Sequence, residues 1–74
     1  IRYGKRPMSL KERQKFLVEG LPDVGPVMAE NLLDNFNSVE NIFTASEKEL
    51  TSVDGVGPIT AKKIREVVTK KYRE

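Results

Sequence analysis

The chain has 74 residues, of which 38% are hydrophobic and 32% charged, enough for one small domain with a thin core and little room for a catalytic cavity. It contains neither cysteine nor histidine, which excludes disulfides, thiolate metal sites, the commonest general base and the commonest zinc ligand. The net charge of +2 is unevenly placed: residues 1–18 carry six Lys or Arg against one Glu, residues 19–54 one Lys against eight Asp or Glu, and residues 55–74 six Lys or Arg against two Glu. Basic ends around an acidic middle point to a polyanion facing the ends.

The start, IRYGKRPM, is basic and irregular, and residues 1–8 read as the tail of a linker in a longer chain. No apolar run approaches the roughly 20 residues of a membrane span and no signal peptide is visible, so an intracellular location is expected, cytoplasmic in an archaeon or nuclear in a eukaryote.

Helix signals then follow in close succession. Ser9-Leu10-Lys11-Glu12 has capping-box spacing and predicts a helix over residues 10–19 that buries Leu10, Phe16 and Leu17, with Gly20 at its C′ position. Pro26 suits the first position of a second helix, whose Val27, Met28, Leu32, Leu33 and Phe36 are expected along one face. Asn37-Ser38-Val39-Glu40 offers another capping box, opening a short helix with Val39, Ile42 and Phe43. Ser46-Glu47-Lys48-Glu49 offers a third, opening a turn or two that carries Leu50 and Val53. A last helix begins at Pro58, with Ile59, Ala61, Ile64, Val67, Val68 and Tyr72 as its apolar stripe. Five short helices with no convincing strand make the fold class all-α.

Within this series the chain repeats itself. At an offset of 32, Leu21 matches Val53, Val24 matches Val56, Gly25 matches Gly57 and Pro26 matches Pro58; Val27, Ala29 and Leu32 match Ile59, Ala61 and Ile64. Each copy reads helix, tight turn, helix. One such hairpin cannot bury its own apolar face, so two copies about a pseudo-two-fold axis, bridged by the short middle helix, are expected to share one core.

In the second copy the turn is Gly55-Val56-Gly57 and the helix after it carries Lys62 and Lys63. Glycine tolerates positive φ and close backbone approach, so Val56 can anchor the turn inward while backbone N–H groups face outward. The first N–H groups of a helix have no intrahelical partner, and with the helix dipole they make an anion site for which a nucleic-acid phosphate is the natural candidate. The first-turn residues Ile59 and Thr60 complete the candidate set. A sharp turn with two solvated lysines is the alternative reading of the same residues; the repeat and the basic ends favour nucleic acid. Phosphate contacts carry no base information, so recognition of shape rather than sequence is expected. No G-x-x-x-x-G-K-[ST] loop is present. Asp34, Glu40, Glu47 and Glu49 follow no metal-ligand pattern, and no helix carries the Arg/Asn/Gln cluster of a major-groove reader.

The two phrases resemble the helix-hairpin-helix motif, apolar-x-Gly-apolar-Gly followed by a helix with Ala and Ile or Leu at fixed spacing. Val53-Asp54-Gly55-Val56-Gly57 with Ala61 and Ile64 fits closely; Leu21-Pro22-Asp23-Val24-Gly25 with Ala29 and Leu32 departs at Asp23, where the first glycine belongs. The span is similar to the tandem domain at the C-terminus of the XPF family of structure-specific endonucleases, nearest to its archaeal Hef helicase-nuclease branch, and also to the C-terminal domain of UvrC. Hairpin one would cover about residues 10–36, the connecting helix 38–44 and hairpin two 46–72.

The resemblance implies a non-catalytic domain that binds branched or forked DNA, positions a separate nuclease domain, and forms a homodimer or a heterodimer with a paralogue. It implies backbone N–H donation to phosphate by Gly55, Val56 and Gly57, and by Val24 and Gly25 in hairpin one. It also allows a monovalent cation on the turn carbonyls, with no other cofactor. Because hairpin one has Asp23, Glu30 and Asn31 where hairpin two has Gly55, Lys62 and Lys63, it is expected to bind weakly or to act only as a structural half. Arg2, Lys5, Arg6, Lys11, Arg13 and Lys15 are candidates for supplying the charge it lacks. A module that chiefly dimerises, using Phe36, Ile42, Phe43 and Tyr72, is the alternative; a free-standing enzyme is the third and weakest reading.

Overall fold

Local capping chemistry sets where the helices begin. The computed structural model describes residues 7–73, and these form α1 (Leu10–Glu19), α2 (Pro26–Phe36), α3 (Val39–Thr44), α4 (Glu47–Thr51) and α5 (Pro58–Thr69), with no strand among the described residues. The linker expected over residues 1–8 lies almost wholly outside them. Both the Ser9/Glu12 and the Ser46/Glu49 capping boxes are formed. In each, the serine Oγ accepts from the N3 backbone N–H (3.1 and 3.0 Å) and the glutamate accepts from the serine N–H (2.8 and 2.9 Å). Pro26 and Pro58 each take the first helical position, where a missing N–H costs nothing.

The capping box expected over Asn37–Glu40 does not form; a single side-chain cap one residue later replaces it. Asn37 ends α2 in the left-handed region (φ 71°), its N–H donating to the Leu33 carbonyl, and Ser38 caps α3 by accepting from the Asn41 N–H. Asparagine tolerates that conformation better than other non-glycine residues, so it stops one helix while its neighbour starts the next. Gly20 corrects another expectation. It is right-handed (φ −74°, ψ −9°), and its pseudo-equivalent Ser52 has the same geometry (φ −72°, ψ −14°), so no glycine is required there.

The repeat is carried into the backbone bonds. Gly20 and Ser52 N–H donate to the Leu17 and Glu49 carbonyls, Leu21 and Val53 N–H to Val18 and Leu50, and Val24 and Val56 N–H to Leu21 and Val53. Ala29 and Ala61 N–H close the first turns of α2 and α5 on the Gly25 and Gly57 carbonyls, both at 2.9 Å. Five pseudo-equivalent pairs line the core: Val18/Leu50, Leu21/Val53, Val24/Val56, Ala29/Ala61 and Leu32/Ile64; only Ile42 and Ala45, from α3 and its end, fall outside the pairs. Neither hairpin could bury these side chains alone, and together they enclose one apolar interior with no buried polar or charged residue among those described. Arg65 ties α5 to the middle of the chain, donating from Nη1 to the Phe43 carbonyl at the end of α3 (2.7 Å).

Which faces turn inward differs from expectation in three helices. In α1, Val18 is buried while Leu10, Phe16 and Leu17 are exposed. In α2, Ala29 and Leu32 are buried, Met28, Leu33 and Phe36 pack at the edge, and Val27 faces solvent. In α5, Ala61 and Ile64 are buried and Val68 is partly covered, whereas Ile59 and Val67 are exposed and Tyr72 lies beyond the helix end.

Candidate nucleic-acid interface

The turn of hairpin two is built from its own hydrogen bonds. The Val53 N–H donates to Leu50 (3.1 Å) and the Val56 N–H to Val53 (3.0 Å), which turns the Val56 side chain into the core. Between them Gly55 adopts φ +92°, a conformation that costs an L-residue roughly 1–2 kcal/mol, so a glycine here is demanded by the backbone. Gly57 is different. It is extended (φ −89°, ψ 175°), which any residue can adopt, and a Cβ there would meet nothing within 4 Å. The expected pair of permissive positions is therefore one glycine that the backbone requires and one that simply leaves the outer surface bare.

This geometry redistributes the expected donors. The N–H of Val56, and that of Val24 (to Leu21, 3.2 Å), are used inside the turns and are not available to a ligand. Without a partner among the described residues are the N–H groups of Gly55, Gly57, Ile59 and Thr60, the last two in the first turn of α5. The side chains of Val24 and Val56 anchor the turns instead. The repeat supplies a matching set at the start of α2: Gly25, which was expected, and Val27 and Met28, which sequence reasoning passed over. Gly25 is extended (φ −98°), and a Cβ on it would meet nothing within 4 Å, as at Gly57. Val27 and Ile59, the second residues of the two helices, are exposed to the same degree, 73% and 72%. Applying the offset of 32 beyond the glycines would have found them.

The two tips sit side by side. The Met28 Cε atom lies 3.6 Å from where a Cβ on Gly55 would be, and a shallow depression runs between Gly25, Val27, Met28 and Asn31 on one side and Asp54 and Gly55 on the other. A second open depression is lined by residues 51–57 of the hairpin-two turn. The first is mainly apolar, with Pro26, Val27 and Met28 in its lining; the second is the more polar of the two.

The charges are less simply arranged. Lys62 is exposed and joins no ion pair among the described residues, but Lys63 Nζ lies 3.3 Å from Asp23 Oδ2 at the tip of the other hairpin. Asp23 occupies the place of Gly55 and takes the same hand of backbone, φ +62°. Aspartate tolerates that region better than most residues because it is short and polar. Lys15, one of the cations expected to serve hairpin one, pairs with Glu30 on α2 (3.0 Å) and neutralises it. Lys11 and Arg13 are exposed; Arg2, Lys5 and Arg6 lie outside the described residues. No helix among the described residues is long and apolar enough to cross a membrane.

Comparison with known proteins gives this geometry a family. A family model described as a SAM-like helix-hairpin-helix tandem matches residues 16–69. A Methanocaldococcus jannaschii protein, named for an inferred ATP-dependent RNA helicase activity, is 64% identical over 72 residues, which is 97% of this chain and 9% of that protein. The UvrABC system protein C of Haloarcula marismortui is 37% identical over 57 residues, 77% of this chain and 10% of that one. Among solved structures, XPF from Aeropyrum pernix superposes with a TM-score of 0.85 at 32% identity, over 99% of this chain and 35% of that chain. The same protein in complex with DNA superposes at 0.84 and 33% identity, over 90% and 34%. The chain thus spans about a tenth of its curated relatives and about a third of the solved structures, and its resemblance to the XPF family holds in three dimensions. By the match over residues 16–69, this chain belongs to the SAM-like helix-hairpin-helix tandem family.

Proposed function

We propose that this chain is the DNA-binding part of a larger nuclease or helicase, itself non-catalytic, gripping phosphates of branched or forked DNA without reading base sequence. The observation that carries this reading is the open N-terminus of α5, where the N–H groups of Gly55, Gly57, Ile59 and Thr60 lack partners and Gly57 leaves the surface bare. A phosphate seated there accepts several N–H bonds and meets the positive end of the helix dipole, while Lys62 adds charge from one turn further along. The second, weaker set at Gly25, Val27 and Met28 lies beside it. Two adjacent phosphate sites on one rigid body favour DNA whose backbones converge, which is how shape selection arises without base contacts. The match to an XPF structure in complex with DNA supports the same reading. A DNA partner implies an intracellular location.

A monovalent cation on the turn carbonyls belongs to the same reading, held by the segment of residues 51–57 that lines the open depression. When bound it would add positive charge next to a phosphate.

Fluorescence anisotropy with a labelled fork, the matching duplex and the single strand, over a range of salt, tests the proposal. The fork is expected to bind most tightly, with log K falling linearly in log salt at a slope near −0.9 per phosphate contact. Equal, weak binding to all three DNAs at low salt would exclude structure selection.

Pairing with a second copy is the other half of the reading, and a specific feature favours it. Of the residues expected to pair, Ile42 is fully buried, Phe36 and Phe43 are partly buried against the core, and Tyr72 is fully exposed. Among the described residues, the large apolar side chains left in solvent are Leu10, Phe16 and Leu17 on α1, Val67 on α5 and Tyr72 beyond it, together with Met8 before α1 and Val27 and Ile59 at the tips. Leu10 and Leu17 are seven residues apart and share one helix face. Covering them with a second copy removes an apolar face that a monomer leaves wet. Sedimentation over a hundredfold range of concentration should show a dimer at the upper end; a monomer throughout would leave DNA binding to a single copy.

A further inference from the structure

The pair between Lys63 and Asp23 joins the two hairpin tips across 40 residues of sequence, and each side chain is about half exposed (52% and 53%). A pair so exposed adds little to stability, so the fold does not account for it. The backbone does not account for it either. Asn or Gly would satisfy φ +62° at position 23 as well as Asp does. What Asp23 brings beyond those residues is a negative charge. That charge stands at the position where hairpin two has Gly55, and it meets one of the two lysines of the phosphate-binding helix.

We propose that Asp23 is an internal stand-in for a phosphate: its carboxylate holds Lys63 in the free protein, and DNA must displace it before Lys63 can contribute. This rests on the phosphate-binding reading of α5. The carboxylate and a phosphate offer the same ammonium the same chemistry, so they compete for it directly. A lone phosphate gains little from Lys63 while Asp23 remains in place. A DNA that also occupies the space over hairpin one pushes the carboxylate aside and frees the lysine. Asp23 therefore lowers affinity overall and makes the contribution of Lys63 conditional on both tips being engaged.

The test is a double-mutant cycle, read by anisotropy with the forked DNA. Asp23→Asn keeps a residue that tolerates positive φ and removes only the charge. It is expected to bind the fork about two- to fivefold more tightly than the parent chain, the range of a released surface ion pair. In a Lys63→Gln background the same change is expected to give almost no gain, because no ammonium remains to release. Parent-like affinity for Asp23→Asn overturns the proposal. So does a gain that persists undiminished with Lys63→Gln, which would make Asp23 a direct repellent of phosphate. Failure of the parent chain to bind the fork at all removes the phosphate-binding reading itself, a result separable from either of the other two.

Discussion

Replacing Lys62 and Lys63 together by Glu is expected to weaken binding to forked DNA by about tenfold or more near physiological salt, and to flatten the salt dependence by roughly two in slope. Two cations are lost from the first turns of α5 and two anions take their place beside the same phosphate. The effect should not come from unfolding, because both side chains are exposed and neither belongs to the core cluster. Circular dichroism and the unfolding midpoint should stay close to the parent values. The two lysines should not share the loss equally. Lys63 is already engaged by Asp23 at 3.3 Å, whereas Lys62 has no ionic partner among the described residues. Lys62→Glu alone is therefore expected to account for more than half of the loss. Anisotropy at several salt concentrations measures both quantities. An unchanged affinity and slope in the double variant would move the phosphate site away from hairpin two.

The pattern of what the sequence disclosed follows from the kind of interaction concerned. The repeat was legible because its residues act locally: Gly and Pro punctuate each turn, and the apolar partners stand at a fixed offset of 32. All five core pairs obey that offset. The orientation of α1 was not legible in the same way, because Phe16-Leu17-Val18 is a continuous apolar run, and such a run does not say which side faces in. The repeat held the answer. Phe16 and Leu17 align with Lys48 and Glu49, both surface residues of α4, while Val18 aligns with the buried Leu50.

The electrostatics of the site were less legible. Lys63 and Asp23 are 40 residues apart, and nothing in either hairpin alone predicts that the two tips meet. Nor does the sequence show that Lys15 spends its charge within hairpin one, where it pairs with Glu30 of α2 at 3.0 Å. The donor set was only partly legible as well. The motif indicates an open helix N-terminus, but not that the buried valine of each turn uses its own N–H on the carbonyl three residues back. The valines are anchors, and the N–H groups left without a partner are those of the glycines and the first helical residues.

The other large effect concerns the shared core. Leu32→Ala and Ile64→Ala are each expected to cost about 2–5 kcal/mol, the usual range for removing a large aliphatic side chain from a packed interior. Both residues are fully buried, and they are pseudo-equivalent positions of the two hairpins. A domain of this length has a total stability of roughly 4–11 kcal/mol, so either change removes a large part of it. Because the ten paired residues line one interior, a cavity in either half should unfold both together. Urea denaturation followed by circular dichroism should show one cooperative transition for each variant, with similar shifts in midpoint and the parent slope retained. Val27→Ala and Ile59→Ala, at exposed pseudo-equivalent positions, are expected to change stability by only about 0.5 kcal/mol. A two-step transition in either core variant would mean that the hairpins fold separately. The fixed side-by-side placement of their tips, on which a two-phosphate grip depends, would then be lost.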